Sequence, residues 1–375
     1  MRLLYFDKDI TGHHLEYIHH LYMGMLKQKN NEYIFVIPES FIKERDKYDW
    51  PDADNILFDF LTEKDIKTKR NEGILKNAWN NSMIVRMKVK KHKPDTVLLI
   101  SLMEFIPFLL FMLPSKVKIS GIIYQIYLYK WKKMRLFAKI KSAVIYWLIA
   151  KAQSVDKIFI LNDPSATLYL NKIYKTNHFT FLPDPLNDID YKPKNIRKEL
   201  GIKEKSRMFL HFGGLTKRKG TLTILEAIQE IPLSYRETMA IVFAGKVYPD
   251  IYDSFYRLIE DLASTIYIKV FDYFCSNEQI ADLCHTTDFI MIPYESEAQS
   301  SGIISHAAYH NKPVIGPDNG LLGKIIRRNK LGIALKELTP NALAKSMLES
   351  IPYQTETKYK HKNTKELFIE TILDK

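Results

Sequence analysis

Cysteine, the dinucleotide fingerprint and long apolar runs are all scarce or missing in this chain, and each shortage removes a class of protein. Only Cys275 and Cys284 occur in 375 residues, so no disulfide framework is available and a reducing compartment is expected. No G-x-G-x-x-G is present, which argues against an ordinary dinucleotide-dependent dehydrogenase. The longest apolar stretches, near 105–113 and 143–150, fall far short of the ~20 residues that span a bilayer. The opening MRLLYFDKDI reaches charge too early for a secretory signal. Acid is absent from one long segment: none stands between Glu104 and Asp156, where nine Lys or Arg do. The expected location is cytoplasmic, with the chain soluble or held peripherally on the inner face of a membrane.

What is present describes a folded protein of two domains. The hydrophobic share is 46% and the charged share 26%, both ordinary for a globular chain. The length suits two cores of about 180 residues each. The net charge of +12 favours an anionic partner, whether phosphate substrate, anionic lipid or nucleic acid.

Short apolar runs alternate with helix-length periodic segments. RLLYF from Arg2, EYIFVI from Glu32, DTVLLI from Asp95, KISGIIY from Lys118 and KIFIL from Lys157 read as buried strands. The rhythm restarts at RMFLHF from Arg207 and continues through MAIVFAG, IYIKVF, DFIMIP and KPVIG. Such alternation implies parallel sheets covered by helices on both faces. Prolines 183, 185 and 193 interrupt it within 181–195, where a hinge is expected. The predicted organisation is a Rossmann-like domain over 1–184, a second over 185–355, and a C-terminal segment 356–375 ending in an amphipathic helix that packs back on the first domain.

Open parallel sheets bind ligands beyond the carboxyl ends of their strands, so the turns there are the candidates. In HFGGLTKRKG, Gly213 and Gly214 permit close backbone approach, and Lys217, Arg218 and Lys219 crowd the next helix start. Cations there oppose the helix dipole and make better sense beside a bound anion; solvated lysines on a turn are the bland alternative. Ser300, Ser301 and Gly302 open a helix after DFIMIP with no acid in the first turn. That suits a phosphate, or simply an N-cap. Thr11 and Gly12 turn the chain into a helix starting at His13 and His14. Asp7-Lys8-Asp9 has D-x-D spacing, which 43 acids produce by chance, and no metal is assigned to it. His13, His14, His19 and His20 are expected on a helix surface, one of the first two touching a ligand.

These residues resemble a known family. The strand followed by Gly213 to Gly220, and the strand, glutamate-rich turn and helix of Ile292 to Ile315, are similar to the donor-binding domain of glycosyltransferase family 4. Likeness is good over roughly 205–335. It is weaker in the first half, where it rests on the Gly12 turn, KPDTVLLI, VDKIFILND and the LPDP linker. The resemblance implies a GT-B fold, two Rossmann-like parallel-sheet domains facing a central cleft. It implies transfer of a sugar, with retention, from a nucleotide-diphospho-sugar (UDP- or GDP-linked) to a hydroxyl of a glycan or lipid-linked glycan, without a prosthetic group or metal. Lys219 falls on the lysine that holds the donor diphosphate. Arg218 stands in for an arginine replaced here by Gly214. Alignment on K-P-V-I puts Ala298 at the family's first glutamate, a role Glu297 or Glu295 could assume, and His306 at the second, which binds the ribose. Lys219, Arg218 and Glu297 are thus the catalytic candidates. Gly12, Gly213, Gly214, Lys219, Glu295, Ser300, Ser301, Gly302 and His306 are the donor-binding ones. A non-catalytic nucleotide-sugar-binding relative and a basic nucleic-acid-binding protein stay open as alternatives. Finally, 129–151 carries seven cations, no acid and aromatics at helical spacing, as a helix docked on an anionic membrane would.

Overall fold

The computed structural model describes residues 1–11, 13–66, 73–186, 191–295, 301–355 and 358–373. The chain folds as two compact units, one of Met1–Pro183 with Lys365–Lys375, the other of Asp184–Thr364.

The first unit is built on seven strands: β1 (Arg2–Phe6), β2 (Glu32–Pro38), β3 (Ile56–Leu61), β4 (Thr96–Leu99), β5 (Lys118–Ile123), β6 (Val155–Leu161) and β7 (Phe179–Leu182). They pair in the order β3-β2-β1-β4-β5-β6-β7, every pair parallel. The central strands are buried on both faces, which is why they read as unbroken apolar runs rather than as alternation. Alternate residues feed two cores. Leu4, Phe6, Val97 and Leu99 face one, and Leu3, Tyr5 and Leu98 face the other.

The last helix of the chain, Lys365–Leu373, completes this second core with Phe368, Ile372 and Leu373. Phe368 packs on Tyr17 with ring centroids 4.8 Å apart. Gly24 gives the helix room, since a Cβ there would lie 2.3 Å from Ile369 Cγ2. The segment from 356 therefore divides. Its short helix Tyr359–Lys362 stays in the second unit, which runs to Thr364.

The second unit holds β8 (Arg207–Phe212), β9 (Met239–Ala244), β10 (Tyr267–Phe271), β11 (Phe289–Met291), β12 (Val314–Pro317) and β13 (Gly332–Leu335), ordered β10-β9-β8-β11-β12-β13. These pairs too are parallel. In both sheets the order reverses beside the first strand, between β1 and β4 and between β8 and β11. At such switch points neighbouring connections leave on opposite faces and open a crevice beyond the strand ends.

Candidate functional site

Strand β8 ends at the switch point of the second unit, and its exit turn is shaped by glycine. Gly213 has φ +90° and Gly220 φ +70°, a region that favours glycine. A side chain on Gly220 would also meet the carbonyl of Pro293, since a Cβ there would lie 2.2 Å from that oxygen. The turn after β8 is thereby pressed against the turn after β11. Between these two glycines lies the short helical turn Lys217–Lys219. The Glu295 N–H donates to the Arg218 carbonyl at 3.1 Å, which ties the two turns together again.

Lys219 folds back over the glycine that opens its own turn. A Cβ on Gly213 would stand 2.8 Å from Lys219 Nζ and 3.9 Å from Ile303 Cδ1. The ammonium and the side chain of Ile303, from the first turn of the helix Gly302–Tyr309, thus flank the same glycine. It also sits 5.6 Å from the ring centroid of Tyr294. The Tyr294 hydroxyl in turn accepts from Ser301 Oγ at 3.4 Å. Burial, aided by the neighbouring Arg218 charge, pushes the Lys219 pKa down to about 8. Removing an ammonium from water without full compensation destabilises its charged form.

Ser301 caps the 302–309 helix by accepting from the Ile303 N–H at 3.3 Å, and no acid stands in the helix's first turn. Lys219, Gly213, Ser301 and Gly302 are thus brought together. Gly214 lies under Tyr248, whose Cε2 would be 3.0 Å from a Cβ at that position. The His306 ring meets Phe212, the last residue of β8, edge-on at 5.3 Å. Glu295 is exposed. Gly12, Glu297 and Ser300 lie outside the described residues. Chemically, a partly desolvated cation beside a helix N-terminus is arranged to receive a phosphate group. Sequence reasoning overlooked Tyr294 as the wall shared by Lys219 and Ser301. Its position directly after β11 was the available signal.

Asp7 and Asp9, which have D-x-D spacing in the sequence, lie in the first unit. Asp7 is buried and receives hydrogen bonds from Tyr5, His14 and the Asp9 N–H. Among the described residues no group of three His, Cys, Asp or Glu could hold a metal ion.

No curated protein matches the sequence significantly. Solved structures do match along nearly the whole chain. Sucrose-phosphate synthase from Thermosynechococcus elongatus is 13% identical with a TM-score of 0.70, over 99% of this chain and 96% of its own. Anabaena HepE, solved with UDP and glucose, is 13% identical with a TM-score of 0.68, over 99% and 98%. WaaG, a glycosyltransferase involved in lipopolysaccharide biosynthesis, is 16% identical with a TM-score of 0.63, over 100% and 96%. At these identities the likeness shows the fold alone. The family model described as glycosyl transferases group 1 matches residues 193–366. The chain has the GT-B fold, and its residues 193–366 are similar to the family described as glycosyl transferases group 1.

Proposed function

We propose that the chain transfers a sugar, with retention of anomeric configuration, from a UDP- or GDP-linked donor to a hydroxyl of a glycan or lipid-linked glycan, as a family 4 enzyme would. The observation that carries this reading is Lys219, a desolvated ammonium at the β8/β11 switch point beside the start of the 302–309 helix. Negative charge grows on the departing diphosphate as the glycosidic bond breaks. A preorganised cation and helix N-terminus stabilise that charge without reorganising. In this proposal the second unit binds the donor and the first unit binds the acceptor. Lys219 and Arg218 hold the diphosphate with Gly213, Gly214, Ser300, Ser301 and Gly302. His306 faces the ribose, and Glu297 or Glu295 contacts the sugar. HepE was solved with UDP-glucose, which makes a UDP-linked sugar the first donor to try.

The test is a panel of UDP- and GDP-sugars offered with glycoside acceptors. Product should carry the anomeric configuration of the donor, read by NMR. No transfer, no donor hydrolysis and no nucleotide binding by calorimetry would sink the reading. Binding without any turnover would favour a non-catalytic relative.

The second part of the proposal is docking on an anionic lipid surface through the helix Leu136–Lys151. Tyr146, Ile149 and Ala150 are buried against the sheet. Leu136, Phe137, Ile140, Val144 and Trp147 point outward, from 48% exposed at Val144 to 80% at Phe137. Their spacing of three and four residues makes one stripe, and Lys132, Lys133, Lys139 and Lys141 stand in or beside it. No helix among the described residues is long and apolar enough to cross a membrane. The stripe instead suits a helix lying in the interface.

A further inference from the structure

The sheet of the second unit ends at β13, which pairs with β12 alone. Between that open edge and the helix Pro340–Glu349 lies a cavity of about 530 Å³. Ile333, Leu335 and Ala342 give it an apolar floor, and the exposed side chains of Lys336, Glu337, Lys345 and Glu349 stand around it. Ser346 also lines it. That serine is 6% exposed, and its Oγ has no hydrogen-bond partner among the described residues. A buried hydroxyl left in that state carries an uncompensated desolvation cost. Just after the lining residue Ser350 the chain runs on as Ile351, Pro352, Tyr353 and Gln354, all exposed and in neither helix nor strand. Ile351 is 79% exposed. A large apolar knob thus stands beside an apolar hole.

The signs of the charges select the occupant. Two cations and two acids surround the cavity, so neither a small anion nor a small cation is favoured there. A surface that carries a knob, a hole and both signs of charge side by side complements itself. A twofold axis between two copies sets each feature opposite its complement, because every contact in such an interface is made twice. Lys345 and Glu349 are one helical turn apart, 72% and 67% exposed, with their charged ends 3.9 Å from each other. Within one chain that is a weak pair. Two copies of the helix set antiparallel place Lys345 against Glu349 of the second copy, and Glu349 against Lys345 of the second copy. We propose that this chain forms a twofold dimer through the β13 edge and the helix Pro340–Glu349, with Ile351 of each copy seated in the cavity of the other. The polar backbone on either side of Ile351 then meets Ser346 Oγ, and the open edge of β13 is covered, which removes a site for unwanted strand pairing. None of these residues belongs to the site at Lys219, so the dimer stands independently of the glycosyltransferase reading.

The test is sedimentation velocity of the full chain over a wide range of concentration. The chain should sediment as a monomer when dilute and as a dimer when concentrated. Lys345→Glu leaves acids at both helix positions, and Glu349→Lys leaves cations at both. Either variant alone sets like charges across the axis and should raise the dimer Kd by about tenfold or more. Mixed in equal amounts, the two variants regain both cross pairs and should form a heterodimer with close to the original Kd. A charge effect confined within one chain predicts no such recovery, because each variant keeps its own like-charged helix. Ile351→Asp should abolish dimerisation and Ile351→Val should preserve it. A urea transition like that of the parent chain shows that each variant is folded. A chain that stays monomeric at every concentration overturns the proposal and leaves the cavity to a different partner. A dimer indifferent to Lys345→Glu or to Ile351→Asp overturns it as well, and so do folded charge variants that fail to pair on mixing.

Discussion

At the scale of single residues, Lys219 links a structural cost to a proposed chemical use. Its pKa, held down to about 8 by burial and Arg218, makes it cationic below that pH and neutral above. A diphosphate binds the cation, so binding must draw a proton onto Lys219 as the pH approaches 8. Affinity for UDP should therefore be level below pH 8 and fall as pH rises beyond it. Calorimetry in two buffers of different ionisation heat measures the proton uptake directly. Lys219→Gln should abolish that uptake and weaken binding by about 1.5–3 kcal/mol, the range for a charged hydrogen bond. An unchanged pH profile in the variant would place the titrating group elsewhere. Turnover should suffer more than binding, because leaving-group charge is largest in the transition state.

Among the elements, two helices lead to separate predictions. Phe368 is fully buried in a core that also takes residues from β1, β2, β4, β5, β6, β7 and the helix His13–Leu26. Phe368→Ala should cost about 3–5 kcal/mol in urea unfolding. A loss below ~1 kcal/mol would mean that the helix frays without consequence. The helix 136–151 should sediment with vesicles containing anionic lipid, each cation near the surface contributing ~1 kcal/mol. That binding should fade with added salt and on reversing the charge of Lys132, Lys133 and Lys139. Equal recovery with neutral and anionic vesicles would reject docking. How far the elements could be read from sequence depended on burial. Strands β1, β4, β5, β8 and β9 are buried on both faces and stood out as apolar runs. Strand β3 did not, because Asp59 interrupts it to pair with Lys88 and His92. The four-residue strands β7 and β13 lie at sheet edges, too short to announce a period. Lys219 was legible from its place after a strand and glycine pair. Its packing on Tyr294 was not, since it depends on strands distant in sequence becoming neighbours at a reversal of order.

For the whole molecule, the chain's path separates two kinds of stability. It leaves the first unit at Pro183, builds the second, and returns at Lys365 to finish the first. The clusters that fill the first unit include Phe368, Ile372 and Leu373, and share no residue with the cluster built on β8, β9 and β11. The first unit thus cannot complete its core until synthesis has passed Phe368, Ile372 and Leu373. The same separation predicts where a ligand is felt. A nucleotide bound at Lys219 and Gly213 adds free energy to the unit that holds β8 to β13, about 2.7 kcal/mol at one hundred times its Kd. Hydrogen exchange read residue by residue should show UDP slowing exchange through β8, β9 and β11 while β1, β4 and β5 exchange as before. Phe368→Ala should do the converse, speeding exchange in β1 and β2 and leaving β8 and β9 protected. UDP that slowed exchange around β1 instead would move the nucleotide to the β1/β4 switch point and overturn the assignment of the donor site. With the sites as assigned, the two perturbations divide the chain at Pro183 and Lys365, the points at which its cores divide.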